Sequence, residues 1–408
     1  MTLRLASRLL ILVLGIAALP GCGDDGGAPA VRDVPGDYPT IQRAVNAAEP
    51  GDLVRVAPGI YREAVAVAPD KERIVIRGLD RNRTVIDGGD ERLDGITVHA
   101  DGVAIENLTV RRFLANGVLF TPGSGRRGEV LSGWRGSYVT AYANGLYGVY
   151  ALSARAGRFD HVYASGHPDS GVYIGQCSPC DALVTDSVAE HNMVGFEATN
   201  ASGNVSIVRS SWRRNRVGVA LNSQRKERLA PQDSVAIVGN RVANNDDAGA
   251  PRGSRAFGLG IVLAGGQQNS IARNRVVGHD GAGIVLQLSV DGFRPVGNRV
   301  VGNVLAGNAL DLAVDVVASD LASLRSCFAD NRYRRSLPPA VERRLPCDRA
   351  PAPVAGTPMR HLPSPPQVDY RRVGAPPPQP QMPAARTAAP RPALGLPDAI
   401  DLDAIPVP

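Results

Sequence analysis

The chain has 408 residues, of which 44% are hydrophobic, and this content of apolar side chains excludes disorder throughout. Aromatic residues make up only 5%, while 45 Gly and 32 Pro residues indicate many turns and few large core side chains, which favours short stacked strands over helix bundles. The net charge of +6 is spread among acidic residues without a basic run, so we expect no nucleic-acid partner.

The N-terminus has the pattern of an export signal. Basic Arg4 and Arg8 precede an apolar run over residues 9–18, which is too short to span a bilayer. Residues 19–22, Leu-Pro-Gly-Cys, resemble the bacterial lipobox. This resemblance implies a signal peptide over 1–21, lipidation of Cys22, a flexible linker over 22–33 and a chain anchored to the cell envelope on its periplasmic or extracellular face. An ordinary cleaved signal with an incidental Cys22 is the alternative.

Four further cysteines are consistent with an oxidising compartment. Cys327 and Cys347 are predicted to form a disulfide that closes a C-terminal cap over 327–348. Cys177 and Cys180 form a C-x-x-C pair, for which a local structural disulfide is the preferred interpretation. A metal site shared with His167 and His191 and a thiol-exchange site are the alternatives.

Short motifs recur through the middle of the chain. An aliphatic residue or Pro, two further positions and Asn-Arg-Val occur at Asn240, Asn274 and Asn298. A Gly followed by an apolar residue occurs at 148, 171, 195 and 218, which are 23 or 24 residues apart. A fixed period in this range predicts a solenoid.

Each period contains alternating apolar stretches of three to five residues, which predicts a parallel β-helix over residues 34–326. Stacked coils place equivalent residues about 4.8 Å apart, so Asn240, Asn274 and Asn298 are expected to form a hydrogen-bonded ladder. Residues 39–48 show apolar spacing typical of an amphipathic helix of about ten residues, ended by Gly51 and Asp52, which would cover the N-terminal end.

Residues 38–48 and 50–63 resemble the opening of pectin-lyase-like right-handed β-helix proteins. The region from 34 to 348, including residues 169–177 and 192–197, resembles a bacterial family of exported β-helix repeat lipoproteins. The resemblance implies an all-β, single-stranded, right-handed parallel β-helix with an N-terminal amphipathic cap helix.

Residues 349–408 contain 16 of the 32 prolines and few large apolar residues, which predicts a disordered or polyproline-like tail. Its segment 376–380 is interpreted as a solvated spacer, with a partner ligand as the alternative.

Residues that interrupt the period are expected to form loops beside one face and to shape a groove for an extended polymer. The sequence places these insertions at Thr121–Arg135, Asn222–Asp233, Asn244–Ala256 and Leu288–Arg294.

Ionisable residues are most concentrated in two successive coils. The candidate catalytic residues are Asp160, His167, Asp169, His191 and Glu197. His167 and His191 are 24 residues apart, so they are expected in neighbouring rungs. Carboxylates and a His in a polymer groove can abstract a proton beside a uronate carboxyl or protonate a glycosidic oxygen.

The motifs of polygalacturonases, alginate epimerases and calcium-dependent pectate lyases are not matched, and no cofactor or metal is predicted. The preferred function is a non-catalytic module that binds a polysaccharide, cell-envelope polymer or protein partner along its groove. The alternatives are an enzyme acting on acidic glycans through residues 160–197 and, by fold analogy alone, an accessory factor for metal-enzyme maturation.

Overall fold

Three parallel sheets wind around one axis. The computed structural model describes residues 29–123, 128–393, 395–396 and 399–408. In these residues, sheets A, B and C contain twelve, ten and eleven strands, and the chain visits the three sheets in turn. The chain is therefore a parallel β-helix of three short strands per coil, as the repeats predict.

Sheet A consists of Val31–Val34, Leu53–Val56, Val75–Gly78, Val103–Glu106, Leu131–Ser137, Ala154–Asp160, Ala182–Thr185, Val205–Val208, Val235–Val238, Ser270–Ala272, Arg299–Val301 and Cys327–Ala329. Sheet B consists of Gly59–Tyr61, Thr84–Asp87, Thr109–Arg111, Thr140–Tyr142, Tyr163–Ser165, Val188–Glu190, Ser211–Arg213, Arg241–Ala243, Arg275–Val277 and Val304–Ala306. Sheet C consists of Val65–Val67, Ile96–Val98, Val118–Phe120, Val149–Leu152, Ser170–Cys177, Val194–Ala201, Val217–Asn222, Leu259–Ala264, Ala282–Gln287, Leu310–Asp315 and Ser336–Leu337.

The pairing register confirms the period of 23 to 24 residues. In sheet C, Val149 pairs with Val172, Val172 with Phe196 and Phe196 with Val219, and all four side chains are buried. Because side chains alternate along a strand, the next residue in each strand points outward. The core thus fills the inside of the coil, and the outer faces remain for loops and ligands.

The N-terminal end is covered by helix α1, Ile41–Ala47. The Thr40 side chain accepts a hydrogen bond from Arg43 N, and the Glu63 carboxylate accepts from the N–H groups of Ile41 and Gln42 at 3.0 and 2.9 Å. These caps satisfy the free N–H groups of the first turn. The helix is shorter than the predicted ten residues, because Thr40 is its N-cap and the backbone of Ala48 is extended.

Asparagine ladders run along the turns between strands. Asn240 donates from Nδ2 to Asn274 Oδ1 at 3.0 Å, and Asn274 donates in the same way to Asn303. Asn298 belongs to a different ladder, where it accepts from Asn269. The prediction that Asn298 follows Asn274 was wrong, because the insertion Leu288–Arg294 lengthens this coil and puts Asn303 beneath Asn274.

Both predicted disulfides are present. Cys327–Cys347 closes the last coil beside helix α2, Val341–Arg344. Asn331 donates from Nδ2 to Glu342 Oε1 at 2.7 Å, which ends the ladder of Asn303. Short 3₁₀ helices are formed by Leu321–Leu324 and Tyr370–Arg372.

The C-terminal tail, residues 349–408, lies along the β-helix in its described parts. Three fully buried arginines of the β-helix donate to its backbone carbonyls: Arg216 to Pro366, Arg81 to Pro380 and Arg77 to Ala389. The tail thus runs from the last coils to the first and then returns. The predicted disorder was wrong here, because proline-rich backbone leaves carbonyl oxygens free and these buried guanidinium groups need acceptors.

The returning end of the tail packs on the outer face of sheet A. Ile405 contacts a buried apolar cluster there, and Arg273 donates from Nε to its carbonyl oxygen at 2.8 Å. The cluster on the sheet consists of Leu183, Val208, Val238 and Ala272. Apolar side chains of the tail therefore contribute to its docking together with its carbonyl groups.

The predicted signal peptide and Cys22 lie outside the described residues. The linker expected over 22–33 ends earlier, because Val31–Val34 pairs with Leu53–Val56 in sheet A. Among the described helices, none has the length and apolar character needed to cross a bilayer.

Candidate functional site

A groove of about 330 Å³ lies on the outer face of sheet C. Its floor is apolar and includes Val194, Val217, Ala220, Leu259 and Val262. These residues follow from the repeat, since each strand of sheet C presents outward-pointing side chains that stack on those of its neighbours. We call this surface the sheet C groove.

Insertions form the walls of the sheet C groove, as predicted. Asn222, Ser223 and Gln224 come from the first wall, Gly253, Ser254 and Ala256 from the second, and Ser289 and Val290 from the third. The three segments begin or end strands of consecutive coils, so they rise beside the same face. Tail residue Met359 packs against the same outer face of sheet C.

A carboxyl pair, Asp169 and Glu197, lies in the groove. The Ser170 hydroxyl is 3.0 Å from Asp169 Oδ1 and 2.5 Å from Glu197 Oε2. Asn222 donates from Nδ2 to Glu197 Oε1 at 2.7 Å. Since one hydroxyl has only one proton to donate, both short contacts of Ser170 are satisfied when one of the two carboxyls is protonated.

Burial raises the pKa of Glu197 well above its usual range, and the negative charge of Asp169 raises it further. The two carboxyls are also hydrogen-bonded to each other. We therefore assign the shared proton to Glu197 and the negative charge to Asp169. This arrangement provides a hydrogen-bond donor and an acceptor side by side, and a proton that can be transferred.

Three tyrosines form a cluster beside the pair. Tyr147, Tyr150 and Tyr173 have ring centroids 4.5 to 4.8 Å apart. Tyr150 pairs with Tyr173, and Tyr173 with Glu197, so the aromatic rings and the carboxyl occupy one row across sheet C. Tyr147 and Tyr150 remain partly exposed.

His167 lies in the core and not in the groove. Asn144 donates from Nδ2 to His167 Nε2 at 3.2 Å, and His167 donates from Nδ1 to Asn192 Oδ1 at 2.7 Å. Complete burial lowers the pKa of His167 to about 4, so the ring is neutral at pH 7. His167 is thus one rung of a corner ladder between sheets B and C. The ladder contains Asn144, His167, Asn192, Asn215, Asn245, His279 and Asn308.

The other two candidates lie elsewhere. His191 follows a strand of sheet B and contacts Asp247 Oδ2 through Nδ1 at 2.7 Å. Asp160 ends a strand of sheet A and accepts from the Ser137 hydroxyl at 2.5 Å. The expected convergence of these residues with Asp169 and Glu197 is not observed.

The expectation that His167 and His191 occupy neighbouring rungs was wrong by one residue. The rung below His167 is Asn192, and His191 instead accepts from Gly166 N at 3.0 Å. A shift of one position at a corner turns a side chain from the core to the surface. The metal alternative for Cys177 and Cys180 needed both imidazoles beside the cysteines, which this placement does not provide.

Sequence reasoning missed Ser170, Asn222 and the three tyrosines. The signal was available for part of the row, since positions 150, 173, 197 and 220 repeat the glycine spacing two residues later. Asn222 is found only through the register, where it pairs with Thr199.

Comparison with known proteins agrees with this fold. The family described as "Right handed beta helix region" matches residues 116–305. The chain is a right-handed parallel β-helix repeat protein.

Two curated relatives match part of the β-helix repeat protein. Pectinesterase/pectinesterase inhibitor 3 of Arabidopsis thaliana is 32% identical over 143 residues, which are 32% of this chain and 24% of the relative. Pectinesterase 1 of Citrus sinensis is 30% identical over 133 residues, which are 29% of this chain and 22% of the relative. The β-helix repeat protein thus spans less than a quarter of the length of these relatives.

A solved structure is similar over most of the chain. The enzymatically active domain of tailspike protein 2 of bacteriophage CBA120 superimposes with a TM-score of 0.51 at 11% identity, covering 74% of this chain and 47% of that chain. At this identity the likeness shows the fold alone.

Proposed function

We propose that the β-helix repeat protein binds a polysaccharide along the sheet C groove without transforming it. The observation that carries this proposal is the carboxyl pair Asp169–Glu197 set in an apolar groove with insertion walls. A sugar ring has apolar C–H faces and polar hydroxyls at its edge. The floor suits the faces, and the carboxyl pair and Asn222 suit the hydroxyls.

Gln287 supports a ligand rich in hydroxyl groups. Its Oε1 is buried and has no hydrogen-bond partner among the described residues, although Gln287 lines the sheet C groove. A buried acceptor without a donor is costly, and a sugar hydroxyl would satisfy it. The tyrosine cluster adds aromatic surface at which a sugar ring can stack.

The charge of the groove favours an uncharged glycan. Asp169 and Glu197 share one negative charge, and the described lining includes no Lys or Arg side chain. A uronate carboxylate would be repelled there, whereas a methyl ester of the same sugar would not. This argues against the acidic substrate that the sequence alone favoured for an enzyme.

A second candidate is an enzyme that uses Glu197 as a proton donor. The raised pKa of Glu197 favours this role, because the proton remains on the carboxyl near neutral pH. However, the two carboxyls are in hydrogen-bond contact, whereas glycosidases separate theirs by about 5 Å or more. Non-catalytic binding is therefore the better supported function.

Titration calorimetry with highly methyl-esterified pectin and with polygalacturonate tests the proposal. We expect tighter binding of the esterified polymer at pH 7 and about a tenfold loss of its affinity in Glu197→Ala. Asp186→Ala, which removes a carboxylate that pairs with Arg209 outside the groove, is the matched control. Unchanged affinity in Glu197→Ala, or preference for polygalacturonate, would contradict the proposal.

An assay for new reducing ends, unsaturated products and released methanol tests the enzyme candidate on the same polymers. We expect no turnover by the purified protein. Turnover that is lost in Glu197→Gln would favour the enzyme instead.

We also propose that the protein is exported and anchored by a lipid on Cys22, which the N-terminal sequence supports. Cells fed labelled palmitate should incorporate the label into the wild-type protein but not into Cys22→Ser. Label retained in Cys22→Ser, or absent from both, would contradict the anchor.

A further inference from the structure

A second cavity, of about 620 Å³, lies between the outer face of sheet B and the C-terminal tail. Sheet B and the turn after it provide Glu190, His191, Arg213 and Arg214, and the tail provides Arg372. The backbone of the tail over residues 372–377 forms one side. We call this space the flank cavity.

The flank cavity has an excess of positive charge. Three arginines line it, against the two carboxylates Glu190 and Asp247. Protonation of His191 would add another positive charge. The sheet C groove has the opposite sign, although both sites belong to the same coils.

The carboxylates are already engaged by groups of the protein. Glu190 accepts from Arg213 Nε at 3.0 Å, from Arg214 Nε at 3.1 Å and from the Tyr163 hydroxyl at 2.8 Å. Burial opposes ionisation of Glu190, but the bonds from Arg214 and Tyr163 outweigh it and lower the pKa of this carboxyl. Glu190 therefore remains charged and fixes the two arginines in place.

Donor groups remain available after these bonds. Arg213 uses only Nε toward Glu190, so its two terminal nitrogens have no acceptor among the described residues. The guanidinium of Arg372 likewise accounts for no hydrogen bond within the described part of the chain. The Arg213 and Arg214 side chains are 41% and 50% exposed, so a ligand in the cavity can reach them.

His191 adds an oriented imidazole. Its Nδ1 is 2.7 Å from Asp247 Oδ2, which directs Nε2 away from this carboxylate. Burial raises the pKa of Asp247, but the hydrogen bond from His191 outweighs this and lowers it, so Asp247 stays ionised. The imidazole is thus held at the rim by a fixed charge.

We infer that the flank cavity binds the oxyanion group of a small ligand, either a carboxylate or a phosphate, through Arg213, Arg214 and Arg372. Guanidinium groups bind such anions with paired N–H donors, and a preformed set of arginines loses little freedom on binding. This site is independent of the sheet C groove.

Titration calorimetry of the full chain with inorganic phosphate, galacturonate and neutral galactose tests this inference. We expect binding of at least one anion, none of galactose, and weaker binding as the NaCl concentration rises. Tighter binding of phosphate assigns a phosphorylated ligand, and tighter binding of galacturonate assigns a uronic acid.

Two tail variants locate the site. Arg372→Gln should weaken anion binding about tenfold, because it removes one charged donor. Arg371→Gln is the matched control, since the neighbouring Arg371 is exposed, pairs with Asp369 and does not line the cavity. Absence of binding by either anion, or an equal loss in Arg371→Gln, would overturn the inference.

Discussion

The sheet C groove and the flank cavity are built by the same coils but differ in charge and in construction. The groove has an apolar floor, walls made by insertions and a carboxyl pair that holds a single proton. The flank cavity has an arginine-rich wall and is closed on one side by the tail. A solenoid can therefore carry two chemically unrelated sites, because adjacent sheets take their outward residues from different positions of one repeat.

The corner ladder between sheets B and C separates the two sites, and breaking it should have the largest effect. Asn192 accepts from His167 and donates to Asn215, Ala164 O and Glu190 O. Asn192→Ala leaves these buried groups without partners, so we expect a loss of about 3 kcal/mol in the free energy of unfolding.

Urea unfolding measures this loss, and ligand titrations should show both sites weakened. Asn204→Ala is the control, because Asn204 is exposed and its side chain donates to Asp181 at the surface. Equal stability of Asn192→Ala and Asn204→Ala would show that the ladder does not hold the two faces together.

Acid should weaken the same ladder. Burial lowers the pKa of His167 and of His279 to about 4, from 6.5 in the unfolded chain. Between these values the unfolded state binds a proton that the folded state does not. Their contribution is complete above pH 6.5 and is lost as the pH falls toward 4, by up to about 3 kcal/mol for each histidine.

Unfolding free energies of the wild type and of His167→Asn, measured from pH 7.5 to 4, check this expectation. Asn is the usual residue of the ladder and does not titrate. The variant should therefore lose less stability than the wild type over this range, and parallel pH profiles would contradict the assignment.

The tail contact at Gly166 should affect the flank cavity alone. Gly166 has a φ of +76°, and a Cβ there would lie 2.9 Å from Val373 Cβ. Gly166→Ala should cost about 1 to 2 kcal/mol and loosen the tail, so trypsin should cut at Arg371 and Arg372 sooner. Binding in the sheet C groove should be retained.

Gly51→Ala is the matched control for this experiment, because Gly51 also has a positive φ but no atom within 4 Å of the added Cβ. If both variants are cut at the same rate, backbone strain and not the contact with Val373 explains the effect.

The smallest expected effect is on the aromatic end of the groove. Tyr150→Ala should weaken binding of esterified pectin about threefold, because it removes part of a stacking surface. Tyr138→Ala, which removes a ring stacked on His161 away from the groove, should leave binding unchanged. Calorimetry at constant pH measures both, and equal affinities for all three proteins would remove the tyrosines from the site.

The period of the sequence was sufficient to predict the sheets, the register and the groove walls. It did not predict the direction of side chains at the corners, where His167 points inward and His191 outward. That choice depends on where each strand ends, and a shift of one residue reverses it. Asp169 and Glu197 were found from their chemical type, and their partner Ser170 only from the structure.

The tail was beyond sequence reasoning for another reason. Its docking depends on buried arginines such as Arg77, which is about 310 positions earlier in the chain than its carbonyl partners. A composition rich in proline describes the segment alone and contains no information on a distant surface that lacks acceptors.

The course of the tail also changes how the molecule should come apart. Stacked repeats that touch only their immediate neighbours can fray coil by coil from either end. Here Arg216, Arg81 and Arg273 join distant coils to one continuous strand of backbone, so the last coil cannot peel away without releasing contacts at the first. The protein is thereby made mechanically closed, with resistance to stepwise unravelling distributed along its whole length.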